Sequence, residues 1–319
     1  MFPPCLDAAH AGDMGTAAQS TVCFAGSSST DALGLDRSMS EPELVLGTAQ
    51  LTERYGILGA SRNRQRSAHS ILAAAERLGV RTLDTAPAYG GAEAVIGTYG
   101  WSGAVHTKIR VGVPPAESLM ASLSALRRDQ VEVLYVHDSN EVLNPCSSVL
   151  YAANQLEREA VGVVGASVYS LEEFTAAIEH PMVDVVQVPM SVLDRRFHGA
   201  ALAAADSAST KVYARSVFLQ GLLLANPAEL PATVSGLRSY ISGLQAIADA
   251  HETTRTALAL GWARSQAGLA GILVGVRDER ELEEVVTAWQ EPVPPAAFRA
   301  VNELETPAPE LLDPRRWSR

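Results

Sequence analysis

The sequence contains almost no lysine. Its 25 basic residues comprise Lys108, Lys211 and 23 arginines. A GC-rich genome, whose codons favour arginine, accounts for most of this bias. A lysine that persists against the bias raises a question, because an ammonium shifts its pKa readily when buried and a guanidinium does not. We therefore ask whether either lysine serves a site that requires an ammonium.

Basic charge, cysteine and long apolar runs are also scarce. The net charge of −11 and the pI of about 5.1 leave no basic face for nucleic acid or an anionic membrane. The three cysteines (Cys5, Cys23, Cys146) form no CxxC pair, which favours a reducing compartment and argues against a zinc site or disulfide scaffold. No run approaches the ~18 apolar residues of a membrane span. We predict a cytoplasmic protein with no nucleic-acid or membrane partner and no metal.

Apolar residues, in contrast, are plentiful. They make up 47% of the 319 residues, and the mean hydropathy is +0.06, which is typical of a soluble protein with a large core. Residues 1–40 differ, because they are rich in Ala, Gly, Ser and Thr and lack the positive start and apolar segment of a secretory signal. We predict a flexible extension over residues 1–40 and one folded domain over residues 41–319.

Short apolar runs alternate with amphipathic helical stretches from residue 43 onward. The predicted strands are Leu44–Gln50, Val80–Ala86, Val105–Ile109, Val131–His137, Val161–Val168, Val183–Met190, Lys211–Leu219 and Gly271–Val276. The helical stretches include Arg66–Leu78, Ala116–Arg128, Ser147–Arg158, Leu171–Glu179, Gly199–Ser207 and Thr256–Gln266. Helix boundaries are indicated by Pro114 and Pro115, by Ser170 as an N-cap and by Gly79 after a helix.

This alternation predicts the fold class. Eight β and eight α units in about 250 residues fit a single (β/α)8 TIM barrel, an α/β fold. The alternative is a doubly wound open sheet, which would carry G-x-G-x-x-G after its first strand. The segment Gly47-Thr48-Ala49-Gln50 has the wrong spacing for that motif. In a barrel the active site lies at the carboxyl ends of the strands, so the chemistry is expected at each strand-to-helix junction.

Four polar residues lie at or just beyond the carboxyl ends of three consecutive predicted strands. Asp84 and Tyr89 belong to the end of the second strand and its loop, Lys108 to the end of the third and His137 to the end of the fourth. Taken singly, Asp84 also suits a turn cap, Tyr89 a packing aromatic, Lys108 a surface charge and His137 a core histidine. Together they suit proton transfer to a carbonyl oxygen: an ammonium favours the phenolate of a nearby tyrosine and so lowers its pKa from about 10, while a carboxylate holds the ammonium in place. A neutral histidine would orient the substrate oxygen.

The spacing of these residues resembles that of the aldo-keto reductases. The segment 83–90 (LDTAPAYG) is similar to the family's second-strand motif, and segments 46–50 (LGTAQ) and 212–223 (VYARSVFLQGLL) are similar to its first- and seventh-strand segments. The similarity covers residues 43–291. It implies that Asp84, Tyr89, Lys108 and His137 form a catalytic tetrad, with Tyr89 as the general acid in carbonyl reduction.

The resemblance also implies a cleft for extended NADPH, with NADH as the alternative. The residues implied for it are Gly47, Thr48, Ser167, Gln187, Arg215, Ser216, Leu219, Gly221, Gly275, Arg277, Arg280 and Glu284. Arg277 and Arg280 would clamp a 2′-phosphate, whereas Glu281 stands where relatives carry Gln or Arg and would repel it. The chain also departs from the family at Val168, where asparagine is usual, and at Arg215, where many members stack a tyrosine on the nicotinamide.

Substrate contacts are expected from aromatic residues on strand-following loops. Tyr55, Trp101 and Tyr169 are the candidates, together with Phe197, and simple loop packing explains each of them equally well. The resemblance points to a small-molecule carbonyl substrate that is sugar-like or an intermediate of secondary metabolism, bound by a monomer or small homo-oligomer.

Two other functions stay open from the sequence. One is a redox-sensing regulatory subunit that binds nucleotide with slow turnover, favoured by the altered positions Val168 and Glu281. The other is a barrel hydrolase or isomerase that uses Asp84 with a second carboxylate and binds no nicotinamide cofactor.

Overall fold

The computed structural model describes residues 41–52 and 64–317, and its strands close into a barrel. They are β1 (Glu43–Gly47), β2 (Thr82–Asp84), β3 (Ala104–Lys108), β4 (Val131–Val136), β5 (Val161–Ser167), β6 (Val185–Pro189), β7 (Lys211–Arg215) and β8 (Leu269–Gly275). Each strand is parallel to its neighbours, and β1 pairs with both β2 and β8. The (β/α)8 barrel is therefore confirmed, and the doubly wound sheet is wrong. Residues 1–40 lie outside the described residues.

Helices connect the strands and cover the outside of the barrel. They are α1 (Arg64–Arg77), α2 (Ala92–Tyr99), α3 (Pro115–Leu126), α4 (Ser148–Asn154), α5 (Leu171–Glu179), α6 (Ala200–Ser207), α7 (Arg238–Ala250), α8 (Arg255–Arg264), α9 (Glu279–Gln290), α10 (Pro295–Glu303) and α11 (Pro309–Leu312). The helices predicted by sequence correspond to α1, α3, α4, α5, α6 and α8, with ends that differ by a few residues. None of the helices in the described part of the chain is long and apolar enough to span a membrane.

The predicted helix boundaries have a clear physical basis. Ser170 begins α5 with a capping box, in which its Oγ accepts from the Glu173 backbone N–H at 3.1 Å and the Glu173 carboxylate accepts from the Ser170 N–H at 3.0 Å. Gly79, after α1, has φ of +84°, a conformation that costs glycine little. Pro115 is the first residue of α3, where its missing N–H leaves no helical hydrogen bond unmade.

Two tyrosines fill much of the barrel interior. Tyr135 on β4 and Tyr213 on β7 belong to the buried cluster inside the barrel. A glycine on the adjacent strand gives each ring its space: a Cβ at Gly165 would lie 2.7 Å from Tyr135 Cδ1, and one at Gly271 would lie 2.6 Å from Tyr213 Cε1. Such distances are far below van der Waals contact, so both positions exclude any side chain while the tyrosines are present.

Polar groups meet at the amino-terminal end of the barrel interior. Glu43, the first residue of β1, accepts hydrogen bonds from Tyr213 Oη at 2.9 Å and from Thr82 Oγ1 at 2.6 Å. The His106 ring meets the Tyr213 ring edge-on, with 5.1 Å between centroids. Burial lowers the pKa of His106 to about 4, so its imidazole is neutral at neutral pH. The hydrogen bonds from Tyr213 and Thr82 satisfy the Glu43 carboxylate at the end of the strands opposite to the site.

Candidate active site

A buried ion pair joins the ends of β2 and β3. Lys108 Nζ lies 2.7 Å from Asp84 Oδ1 and also donates to the Thr85 carbonyl oxygen at 2.9 Å. The two side chains are only 2% and 4% exposed. Charges taken out of water are costly unless they are paired and hydrogen-bonded, and both conditions hold here. The strand pairing that brings β2 beside β3 thus places a fixed ammonium at the carboxyl end of the barrel.

The second oxygen of Asp84 is held from across the barrel. Gln187 on β6 donates from Nε2 to Asp84 Oδ2 at 2.9 Å, and Ser167 Oγ on β5 donates to Gln187 Oε1 at 3.5 Å. Both carboxylate oxygens of Asp84 therefore have a partner. This arrangement suits Asp84 as a holder of Lys108 and leaves it poorly placed to act as a base or a nucleophile, which the hydrolase or isomerase alternative requires.

Tyr89 lies against the lysine of this pair. Lys108 Nζ is 5.1 Å from the centroid of the Tyr89 ring. Burial alone would lower the pKa of Lys108, but Asp84 and then Tyr89 oppose that effect, and the net result is a raised pKa. Lys108 is consequently a stable ammonium, and a positive charge at this position stabilises a phenolate at Tyr89.

His137 completes the group from the loop that follows β4. Burial, and then the charges of Lys108 and Arg215, lower the pKa of His137 to about 4. Its imidazole is therefore neutral at neutral pH and carries one donor and one acceptor nitrogen. A neutral ring in this place is suited to hydrogen-bond an uncharged carbonyl oxygen.

A cavity of about 530 Å³ opens at the carboxyl ends of the strands and brings the four residues together. Asp84, Tyr89, Lys108 and His137 all line it. The implied cofactor residues in its wall are Gly47, Thr48, Ser167, Gln187, Arg215, Ser216, Gly221, Gly275, Arg277 and Glu284. The cavity thus extends from the buried ion pair to the start of α9 and falls within the usual size range of ligand sites.

Comparison with known proteins gives the family. The model of the Aldo/keto reductase family matches residues 43–306. The chain belongs to this family. Aldo-keto reductases are oxidoreductases of carbonyl groups that use nicotinamide cofactors, and this is the general class of the protein. A search of curated proteins returned no significant match.

Two solved aldo-keto reductase structures share the fold. Glycerol dehydrogenase AKR11B4 from Gluconobacter oxydans is 19% identical, with a TM-score of 0.65, and the match covers 82% of this chain and 90% of that one. Aldo-keto reductase AKR11C1 from Bacillus halodurans, in its holo form, is also 19% identical, with a TM-score of 0.68. The match covers 83% of this chain and 93% of that one.

Two implied cofactor residues of this aldo-keto reductase do not line the cavity. The Leu219 side chain is 2% exposed and packs into the core. Its backbone has a φ of +47°, as Gln220 has a φ of +55°, and this left-handed turn presents Gln220 and Gly221 to the cavity instead. The Arg280 side chain is 86% exposed and pairs with Glu284 at 2.8 Å.

The aromatic substrate candidates are placed differently from one another. Tyr169 lines the cavity, whereas Phe197 is fully buried against Phe174, with 5.5 Å between ring centroids. The expectation that Trp101 follows a strand is wrong. It lies between α2 and β3, at the amino-terminal end of β3, where its Nε1 donates to the Ala104 carbonyl oxygen at 3.3 Å. Tyr55 lies outside the described residues.

Gln50 is a cavity residue that the sequence reasoning did not select. It lines the cavity shortly after β1, and its Oε1 is buried without a hydrogen-bond partner in the described structure. A Cβ at Gly275 would lie 3.1 Å from this oxygen. A buried acceptor without a partner is costly and suits a ligand that brings a donor. The signal in the sequence was a polar side chain just past a strand end.

Proposed function

We propose that this aldo-keto reductase reduces an aldehyde or ketone to an alcohol, with a proton from Tyr89 and with NADPH as cofactor, NADH being the alternative. The observation that carries the proposal is the buried Lys108–Asp84 pair, held against Tyr89 in the wall of the cavity. The proposed substrate is a small sugar-like or secondary-metabolite carbonyl compound, and the proposed location is the cytoplasm.

The residues of the chain account for the proton half of the reaction. When bound, the dihydronicotinamide supplies the hydride that the carbonyl carbon receives. As negative charge develops on the carbonyl oxygen, the Tyr89 hydroxyl donates its proton, and the resulting phenolate is stabilised by the Lys108 ammonium. Asp84 keeps that ammonium in place, and neutral His137 orients the carbonyl oxygen by a hydrogen bond.

The cavity wall fits the proposed cofactor. The unpartnered Oε1 of Gln50 offers an acceptor, and glycine at positions 47 and 275 leaves the backbone accessible to a ligand. Gln187 uses its Nε2 on Asp84, but its Oε1 has a second lone pair available for an amide donor such as a carboxamide. At the far end, Arg277 lines the cavity and offers a cation to a phosphate, whereas the N-cap Asp278 and the first-turn Glu279 and Glu281 make the start of α9 itself acidic.

A parallel screen with NADPH and NADH tests the proposal. Purified protein is mixed with each cofactor and a panel of aldehydes, ketones and sugars, and cofactor oxidation is followed by absorbance. We expect turnover of at least one carbonyl class. Nucleotide binding without turnover would favour the redox-sensing regulatory subunit instead, and absence of nucleotide binding, seen as unchanged protein fluorescence, would overturn both.

Glu281 is expected to weaken the preference for NADPH. It accepts from the Arg277 backbone N–H at 2.6 Å and from Arg277 Nε at 2.7 Å, so it partly neutralises an arginine that would otherwise face a 2′-phosphate. We expect Glu281→Gln to lower the Kd for NADPH about tenfold and to leave the Kd for NADH nearly unchanged, because only NADPH carries the additional charge. Fluorescence titration with both cofactors measures this.

The matched control for this prediction is Glu283→Gln on the same helix. Glu283 pairs with Arg77 at 2.7 Å and does not line the cavity. Equal changes in affinity for the two cofactors, or the same selectivity change in the control, would contradict the role given to Glu281.

A further inference from the structure

Two guanidinium groups lie against the ring of Tyr169. Arg215, the last residue of β7, places its Cζ 4.2 Å from the ring centroid, and Arg315, in the C-terminal turn Pro314–Arg316, places its Cζ 3.8 Å from it. Arg215 and Tyr169 line the cavity, whereas Arg315 does not, and its side chain is 56% exposed. One aromatic ring thus connects the C-terminal turn to the wall of the active-site cavity.

The two arginines differ in how their charges are balanced. Asp313 holds the Arg315 guanidinium with both oxygens, at 2.9 Å from Nε and 2.8 Å from Nη2. Arg215 donates to the Val168 carbonyl oxygen at 3.1 Å and has no carboxylate partner among residues 41–52 and 64–317. Because Asp313 neutralises the charge of Arg315, little repulsion remains between the two guanidinium groups at the ring. Arg215 keeps an uncompensated positive charge directed to the cavity.

The C-terminal turn is itself well anchored. Asp313 accepts from the Arg315 backbone N–H at 3.0 Å, and Trp317 is 8% exposed, with its Nε1 donating to the Leu311 carbonyl oxygen at 3.1 Å. A guanidinium on an anchored turn loses little further freedom when it stacks on a ring. The turn can therefore restrict the Tyr169 ring, and through the ring it restricts Arg215.

We propose that Arg315 is a positioning residue which, through the Tyr169 ring, holds the Arg215 guanidinium where it binds the dinucleotide cofactor. The cofactor part of this inference rests on the proposed function. The coupling of Arg315 to Arg215 does not, because the protein without ligand can report it. Each cation–ring contact contributes only a modest free energy. Loss of the Arg315 contact should therefore shift the position of the Arg215 guanidinium and weaken cofactor binding.

His137 provides the readout without ligand. Burial is the largest cause of its low pKa; Lys108 on β3 and Arg215 on β7 lower the pKa further, and Asp84 and Asp138 act in the opposite direction. If Arg215 moves away from the cavity wall, one of the two cations is lost and the pKa of His137 rises. The titration of His137, followed by NMR of its ring protons, therefore measures the position of Arg215.

The test compares Arg315→Ala with Arg316→Ala in the ligand-free protein. Arg316 is a neighbour in the same turn, is 63% exposed and lies 3.9 Å from Asp313, so its removal deletes the same charge without touching the ring. We expect Arg315→Ala to raise the His137 pKa by on the order of 0.5 unit and Arg316→Ala to leave it unchanged. Arg315→Ala in an Arg215→Ala background should produce no further shift. An unchanged His137 titration, equal shifts in the two arginine variants, or additive shifts in the double variant would each overturn the proposal.

Cofactor affinity supplies the second measurement. We expect Arg315→Ala to raise the Kd of NADPH or NADH roughly threefold, while kcat stays within about twofold. Tyr169→Phe keeps the ring and should retain affinity, whereas Tyr169→Leu should lose it to the same extent as Arg315→Ala. A shifted His137 titration in a protein that binds neither cofactor would contradict the proposed function and leave the coupling standing. A normal Kd together with a shifted titration would remove the cofactor role assigned to Arg215.

Discussion

Tyr89→Phe is expected to lower kcat for carbonyl reduction by on the order of 10³-fold, because the variant has no proton to give to the developing alkoxide. The phenyl ring keeps the contact with Lys108, whose Nζ lies 5.1 Å from the ring centroid. Cofactor binding should therefore stay close to that of the unmodified protein. Steady-state kinetics with the best substrate of the screen and fluorescence titration with NADPH measure the two quantities.

His198→Asn serves as the control for this experiment. His198 lies outside the cavity wall and close to Trp262, with 6.4 Å between ring centroids. We expect the control to retain its kcat. If Tyr89→Phe turned over the substrate at the normal rate, another group would have to supply the proton and the role given to Tyr89 would be wrong.

Lys108→Arg is expected to reduce kcat at least 10²-fold, although the charge is conserved. Lys108 is 1% exposed, and its Nζ lies 2.7 Å from Asp84 and 2.9 Å from the Thr85 carbonyl oxygen, which leaves no room for a guanidinium. The larger group must displace its neighbours, at a cost of about 1–3 kcal/mol in the free energy of unfolding. Kinetics together with urea unfolding measure both effects.

The second lysine provides a matched control for the same substitution. Lys211 is exposed at the start of β7, so Lys211→Arg should change neither kcat nor the free energy of unfolding. Full activity in Lys108→Arg would mean that the lysine at this position reflects no chemical requirement. Equal losses in the two variants would indicate a general effect of the substitution on the barrel.

The barrel and the core of the site could be predicted because both depend on local sequence. Each strand is a short apolar run, and in a parallel barrel the carboxyl ends of neighbouring strands meet at the same face. The residues at and just after the ends of β2, β3 and β4 were therefore expected together, and Asp84, Tyr89, Lys108 and His137 line one cavity. A loop that follows a strand lies at the carboxyl end of the barrel, and a loop that follows a helix lies at the amino-terminal end. The end at which a residue lies can therefore be predicted only if every strand and helix before it has been recognised. The placement of Trp101 failed because α2 had not been recognised as a separate helix before β3.

Contacts between distant parts of the chain could not be predicted from the sequence. Gln187 reaches Asp84 across 103 positions, and nothing in the strand pattern shows that its amide bonds a carboxylate. Arg315 and Tyr169 meet only because the C-terminal turn packs against the loop that follows β5. Arg277 and Glu281 are only four positions apart, but whether they pair depends on side-chain conformations that the sequence does not determine.

The glycines beside the interior tyrosines have a consequence for the evolution of this barrel. Gly165 and Tyr135 on one side, and Gly271 and Tyr213 on the other, share a fixed volume between adjacent strands. At Gly271 the obstacles nearest to a Cβ are atoms of the Tyr213 ring, so a larger residue there requires a smaller one at position 213. A Cβ at Gly165 would also lie 2.7 Å from the Val185 carbonyl oxygen, which belongs to the backbone and stays in place whatever the side chains are. Aligned relatives should therefore exchange size between positions 271 and 213 in pairs, whereas position 165 should stay glycine whatever residue stands at position 135.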